Sequence, residues 1–391
     1  MTKPAAPYVL WLPSWYPNKL SPFDGDFIQR HAKAAALYND IAIIKLVGDA
    51  NRTITTDIKV EVEKTGRLTE HIIYFKKTTS WPGKLVAANK WIRIYKETIA
   101  NHIRQNGKPS LVHVHVAMKA GMLALWIKRK YQVPFIVSEH WTVFQPASSE
   151  KFAEKNFFFK YLTRKIIKRS LALLTVSDDL GVQIRKLVFP KPHVVVPNVA
   201  DENLFYFRPG NSSDFAFLHV SNMNYQKNAA AIIENFAVVQ NEFANIKLVL
   251  VGPASSSVRQ VADRTGLIDR SIFFRGEVTY QKVAEEFHRA NALVLFSRFE
   301  NQPCVIIESL CSGVPVISTP VGGIPEIIDD TNGVFGNAGV KDSLAEAMRQ
   351  MMKNYSSFDR KKISENARSR FSYSVVGKMI SDIYHSALQN K

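Results

Sequence analysis

At 391 residues the chain is long enough for two domains with separate cores. Its 46% hydrophobic and 22% charged residues, without low-complexity tracts, exclude a disordered or fibrous protein, and no run of about 18 uncharged apolar residues suggests a transmembrane helix. The formal charge of +17 is uneven: Met1–Asn198 holds 31 Lys+Arg against 14 Asp+Glu, whereas Val199–Lys391 holds 20 of each. Such asymmetry suggests a polyanionic surface met by the first half alone, whether an anionic membrane, a nucleic acid or an acidic polymer; plain solubility is the bland alternative. The only cysteines, Cys304 and Cys311, fall on one predicted helix about 10 Å apart, beyond disulfide reach, and a reducing cytoplasm fits.

In chain order, Tyr8–Leu12 reads as a strand, Phe27–Tyr38 as a helix and Ile41–Val47 as a strand. A polar, strand-like excursion continues through Phe75, and a long amphipathic helix is predicted from about Leu85 to Arg104. Strand Leu111–Val116, helix Ala120–Lys130, strand Pro134–Ser138, helix Phe152–Arg169 and strands Leu171–Val176 and Val194–Val196 follow. This alternation predicts a parallel sheet covered on both faces. Pro197-Asn198-Val199-Ala200-Asp201 breaks the pattern, which restarts with strands Phe215–Val220, Ile246–Val251, Ser271–Phe274, Ala292–Phe296 and Val314–Ser318. Helices near Lys341–Met352 and Ser374–Leu388 finish the chain. Two βαβ domains hinged near residue 200 are expected, with the cleft between them as the default site.

The stretch from Ser297 to Glu308 is the most informative. Pro303 opens a helix there and Gly313 closes it, so Glu300 lies on the loop at a strand's carboxyl end and Glu308 inside the helix. Ligands of open α/β sheets bind at such loops, and the free N–H groups of a helix start suit a phosphate. Two carboxylates beside such a helix start suggest a nucleotide carrying something rich in hydroxyls; alone, acidic residues eight apart are commonplace. Lys227, on the loop after Phe215–Val220, could neutralise a leaving diphosphate or simply be a surface lysine. Gly25, after Trp15-Tyr16-Pro17-Asn18, either lets backbone approach a phosphate or makes an ordinary tight turn. His140 ends a strand and should face the cleft, while His113 and His115 share one strand face and read as structural. No His/Asp/Glu/Cys set shows metal-ligand spacing, so no metal is expected. Basic and aromatic residues interleave through Phe75–Trp81, Lys84–Lys96 and Lys151–Arg169, either as surfaces for a lipid headgroup layer or as aromatics packed on the sheet with lysines in water.

Ser297-Arg298-Phe299-Glu300, the spacing to Glu308, Gly313-Val314-Pro315-Val316-Ile317 and Gly322-Gly323-Ile324-Pro325-Glu326 together resemble glycosyltransferase family 4. The likeness extends to Phe274-Arg275-Gly276-Glu277-Val278, to Val196–Asp201, to Phe371-Ser372-Tyr373 and to the Trp15–Asn18 turn with Gly25. The resemblance implies a retaining, metal-independent transferase of the GT-B fold. That fold is α/β, with two Rossmann-like doubly wound domains facing across a cleft and a C-terminal helix crossing back. Residues 1–198 with 372–391 would form the acceptor side and residues 199–371 the donor side. Glu300 would bind donor-sugar hydroxyls, Lys227 the departing diphosphate and Glu308 the ribose; His140 would lie beside the transferred sugar. Gly25, Asn301, Cys304 and Val305 would approach sugar and diphosphate, and Arg275, Gly276 and Val278 the base. The implied donor is a nucleotide-diphosphate sugar with no cofactor, and the acceptor a lipid-linked or polysaccharide glycan at the inner face of the cytoplasmic membrane. No nucleic-acid partner is expected.

Two departures from the family pattern stand out. Its Gly-Arg pair before the lysine is replaced by Ser221 and Asn222, so one cation is missing, with Arg298 or Arg275 as candidate substitutes. Pro303 also lacks the N–H that a family glycine would offer. A GT-B epimerase or phosphorylase, a nucleic-acid-binding protein and a non-catalytic subunit are the rival readings.

Overall fold

The computed structural model describes residues 7–51, 53–77, 83–209 and 214–389. Trp81, in the first basic-aromatic stretch, lies outside them. The first domain holds an eight-stranded sheet: β1 (Tyr8–Pro13), β2 (Asp40–Asp49), β3 (Ile58–Thr65), β4 (Leu68–Lys76), β5 (Leu111–His115), β6 (Phe135–Glu139), β7 (Leu173–Thr175) and β8 (His193–Val195). Its order is β3-β4-β2-β1-β5-β6-β7-β8, parallel except for β3. The polar excursion is therefore a hairpin, turned at Gly66 with φ 59°, whose second strand β4 pairs parallel with β2. Alternation of apolar residues in β3 does not bury it: Ile58, Val60 and Val62 stay exposed because β3 is the sheet edge.

Helices α1 (Asp26–Ala36), α2 (Gly83–Asn106), α3 (Ala120–Tyr131), α4 (Phe157–Arg169) and α5 (Asp178–Leu187) surround this sheet. The predicted helix Phe152–Arg169 is broken. A single 3-10 turn covers Phe152–Glu154, Lys155 is extended, and Asn156 caps α4 by accepting from the Phe159 N–H. An Asn side chain that satisfies a free helix-start donor ends the preceding turn as it begins the next.

The second domain has a fully parallel six-stranded sheet: β9 (Phe215–Val220), β10 (Ile246–Val251), β11 (Ile272–Gly276), β12 (Ala292–Leu295), β13 (Val316–Ser318) and β14 (Gly333–Phe335), in the order β11-β10-β9-β12-β13-β14. Its helices are α6 (Ala229–Gln240), α7 (Ser256–Thr265), α8 (Tyr280–Arg289), α9 (Cys304–Cys311), α10 (Ser343–Lys353) and α11 (Arg360–Phe371). Each sheet has an apolar core on both faces, as parallel strands require.

The chain passes between the domains twice. The two crossings lie side by side, with the Ala200 N–H donating to Phe371 O at 3.0 Å. Beyond the second crossing, α12 (Tyr373–Gln389) packs on α1. Gly377 makes that packing possible: a Cβ there would sit 2.1 Å from Ala34 O. Tyr384 carries the contact to the sheet, its hydroxyl accepting from Trp11 Nε1 at 3.0 Å and lying 2.8 Å from His113 Nδ1. The expected return of the last helix is thus observed. His113 is buried in this network, a structural part as its strand position suggests.

Candidate active site

The second sheet reverses its winding between β9 and β12, and loops leaving adjacent strands diverge there to open a crevice. Lys227 follows β9 and Glu300 follows β12, and the fold joins them. Lys227 Nζ lies 2.5 Å from Glu300 Oε1, with side chains 17% and 5% exposed. The loops are tied at two further points: Arg298 N–H donates to Gln226 O at 2.8 Å, and Gln226 Nε2 donates to Phe299 O at 2.9 Å. Gly322 and Gly323 complete the support. A Cβ on Gly322 would meet Glu300 O at 1.8 Å, and one on Gly323 would meet Asn301 O at 2.2 Å. The paired glycines let the loop after β13 press directly on the Glu300 backbone.

A cavity of about 630 Å³ lies beside this pair between the domains. Its second-domain wall includes Asn222, Lys227, Val278, Cys304, Val305 and Glu308, and its first-domain wall includes Asp26, Gln29, Arg30 and Lys33. Glu308 is already engaged. Its Oε1 accepts from the Arg30 guanidinium and, at 3.1 Å, from the Tyr280 hydroxyl. Arg30 also reaches Tyr280 Oη at 2.6 Å and Asp26 Oδ2 at 3.1 Å, and lies 4.9 Å above the Tyr280 ring. Burial raises the Glu308 carboxyl above its ordinary range, and the guanidinium opposes that shift. Burial also pushes the Cys304 thiol to about 12, so it is a neutral wall element near pH 7.

Other expected site residues sit elsewhere. Arg275 lies 3.7 Å from Glu286 and above the Phe273 ring, and Arg298 stacks on Tyr225 and donates to Asn228 Oδ1 at 2.8 Å. Neither lines the cavity; the cations brought in are Arg30 and Lys33, from the other domain. Gly276 is also outside the wall, its carbonyl accepting from the Gly252 N–H at 2.7 Å. Gly25 is a left-handed residue of φ 68° at the start of α1, where a Cβ would lie 2.6 Å from the Trp15 carbonyl carbon. The turn itself demands glycine. Asn301 spans the domains rather than facing the cavity, donating to His140 O at 2.8 Å and accepting from Gln145 Nε2 at 2.9 Å. Pro303 caps α9, so the first turn begins without its N–H.

His140 sits over the first sheet's carboxyl end, its ring 5.0 Å from that of Phe27 and its Nε2 3.2 Å from His115 Nδ1. With His31, these rings form a set of ligand atoms all within 4.8 Å, the group among the described residues able to hold a metal ion. The three come from α1, β5 and the loop after β6, so no spacing in the sequence exposes them. Burial holds all three imidazoles low, His31 at about 4, and His31 Nε2 lies 3.0 Å from Pro197 O. Neutral rings, one fixed by a carbonyl, suit a metal as well as a core.

Sequence reasoning also missed the clamps between domains. The Glu326 carboxylate accepts from the Asp178 and Asp179 N–H groups, each at 2.9 Å, so a second-domain residue caps a first-domain helix. Asn198 pairs twice with Gln302 at 2.7 Å. Only the Gly-Gly-Ile-Pro-Glu run hinted at Glu326.

Two doubly wound sheets facing across such a cleft, with a lysine–carboxylate pair at one switch point, define a GT-B architecture. The sequence pattern of the glycosyl transferases group 1 matches residues 203–370, and that of glycosyltransferase Family 4 matches residues 60–204. The chain belongs to these glycosyltransferases. It is 26% identical over 268 residues to N-acetyl-alpha-D-glucosaminyl L-malate synthase of Bacillus anthracis, covering 64% of this chain and 68% of that one. It is 24% identical over 371 residues to the putative teichuronic acid biosynthesis glycosyltransferase TuaC of Bacillus subtilis, covering 89% and 88%. Anabaena HepE, solved in complex with UDP and glucose, superposes with a TM-score of 0.72 at 16% identity over 97% of this chain and 99% of that one.

Proposed function

We propose that the chain transfers a sugar from a nucleoside diphosphate sugar to a lipid-linked or polysaccharide acceptor, with retention of configuration and without a metal ion. The observation that carries this reading is the convergence of Lys227, Glu300 and Glu308 at one switch point beside the inter-domain cavity. Glu300 accepts hydroxyls of the sugar, releasing the Lys227 ammonium to the diphosphate. The ribose diol takes Glu308 from Arg30, and the freed guanidinium turns to the diphosphate as the cation that Asn222 does not supply. The bond from the anomeric carbon to the phosphate oxygen breaks as the acceptor oxygen bonds to that carbon on the vacated face. The acceptor's proton passes to the departing phosphate oxygen. The solved complex of HepE with UDP supports a nucleotide in this cleft, and TuaC supports a cell-surface glycan as product.

The acceptor side is read as membrane-facing. On α4, Phe157, Phe158 and Tyr161 are 82%, 66% and 51% exposed, whereas Phe159 packs inward against Phe152 and Trp141. Lys160, Arg164, Lys165 and Lys168 share the helix. Exposed rings among cations fit an anionic headgroup layer. No helix of the described residues is long and apolar enough to cross a membrane.

The test is a panel of nucleotide sugars scored by thermal stabilisation, where a ligand at 100 times its Kd adds about 2.7 kcal/mol, followed by product analysis with the labelled donor. A stabilising nucleotide sugar and acceptor-dependent transfer with retention are expected. Conversion of the donor without acceptor would identify an epimerase instead, and metal-dependent turnover would overturn that part of the reading.

A further inference from the structure

The positive excess of the first domain does not end at the donor cavity. A second cavity of about 570 Å³ opens at the carboxyl end of the first sheet, within the range of small-molecule sites (about 300–1,000 Å³). It sits where this sheet too reverses its winding, with Ser14 from the loop after β1 and Lys119 from the loop after β5 on its wall. Lys45, Lys77 and Lys119 line it, and no acidic side chain of the described residues does. The remaining wall is hydrocarbon and aromatic, including Trp91, Ile92 and Met122. Three lysines and a largely apolar lining in one cavity match an anionic amphiphile.

The backbone around the cavity is under strain. Val116 and Lys119 hold φ values of 67° and 66°, a region that β-branched and long side chains avoid. Ser14 Oγ, within 3.1 Å of Val116 O and 2.7 Å of Met118 O, pins both ends of this turn. Strain that the surroundings hold in place marks positions where geometry serves a site. Lys45 is unusual in the same way: it lies in mid-β2, 7% exposed, its ammonium bonded to Ser14 O. Burial draws it to about 8, with Asp24 opposing that shift and Lys119 adding to it. A bound phosphate would oppose the effect of burial.

We propose that this cavity anchors the acceptor, taking the diphosphate head of a lipid-linked acceptor against the three lysines and the first part of its chain against Trp91 and Ile92. The inference rests on the transferase reading above and names the chemistry of its acceptor. A lipid is favoured over a free anion because the apolar wall has nothing to contact in an inorganic ion. The cavity is walled by α2 and α3, which share one face of the sheet and one core with α4, the helix that presents Phe157 and Phe158. Trp15 follows Ser14 directly and packs on Gly25, so a head held at Ser14 sits next to the loop bordering the donor cleft. A sugar beyond the diphosphate would then point toward the cleft.

The experiment titrates the full chain with farnesyl diphosphate, inorganic pyrophosphate and farnesol, read by calorimetry or tryptophan fluorescence. Farnesyl diphosphate should bind at least about tenfold more tightly than either fragment. Lys77→Glu and Trp91→Ala should each weaken it at least about tenfold while leaving nucleoside diphosphate stabilisation unchanged. Lys77 is exposed, so that variant keeps the test decisive should Trp91→Ala fail to fold. Pyrophosphate binding as tightly as the lipid, or variants that bind like the parent, would overturn the proposal. Intact farnesyl diphosphate binding with no stabilisation by any nucleotide would support the lipid subsite and sink the donor assignment.

Discussion

Arg30 holds the carboxylate that the family pattern gives to the ribose. Its guanidinium and the Glu308 carboxylate are both buried, and a buried pair is worth more when broken than when made. Arg30→Ala should therefore lower unfolding stability by about 3–5 kcal/mol, read by urea denaturation, because Glu308 is left without a cation. The double variant Arg30→Met with Glu308→Gln should recover most of that loss; a double no more stable than Arg30→Ala would show that the two are not coupled. Glu300→Ala should leave the fold intact by circular dichroism and cut kcat/KM at least about 100-fold, about 2.7 kcal/mol of transition-state stabilisation. Near-parental turnover would remove Glu300 from the site. Glu300, Glu308 and Lys227 were legible in the sequence because short-range signals place them: an apolar strand, a polar loop, then a helix opened by proline or asparagine. Arg30 was not, since its role depends on α1 of one domain meeting α9 of the other. The histidine set did not show either, because its members come from α1, β5 and the loop after β6 and meet only when the first domain folds.

Among the elements, α12 carries the tie between chain ends. Gly377→Val should force α12 away from α1, costing about 1–3 kcal/mol, seen as a lowered Tm; an unchanged Tm would mean that the helices can slide apart at no expense. Most of the element order was readable because parallel strands alternate with helices, and each switch from period 2 to period 3.6 marks a boundary, whereas α5, β14 and α11 were missed. Errors arose where a single polar side chain or an edge position decided the outcome. Asn156 cut one predicted helix into two pieces, and the exposed edge β3 carries an apolar alternation that buries nothing. Glu326 capping α5 across the cleft belongs with these, since nothing local in residues 178–179 calls for a partner 147 residues away.

For the whole molecule, the charge asymmetry becomes a directional property: the second half is neutral and the basic first half carries α4 with its exposed rings. Binding to anionic vesicles should fall steeply as salt rises from about 0.01 M to about 1 M, over which the screening length shrinks from about 30 Å to about 3 Å. Sedimentation with the vesicles checks this, and binding unchanged by salt would remove the electrostatic docking. Exchanging Phe157 and Phe158 for serine should weaken the salt-resistant remainder. The contact of Tyr384 with Trp11 and His113 bears on the order of events during synthesis. Chains fold from the amino end as they emerge, yet the first sheet's Trp11 and His113 meet their hydroxyl partner only when residue 384 has been made. The second domain, encoded in the middle, can close first. The first domain is sealed only by the last helix, so an interrupted chain is left with an intact second domain and an unsealed first one.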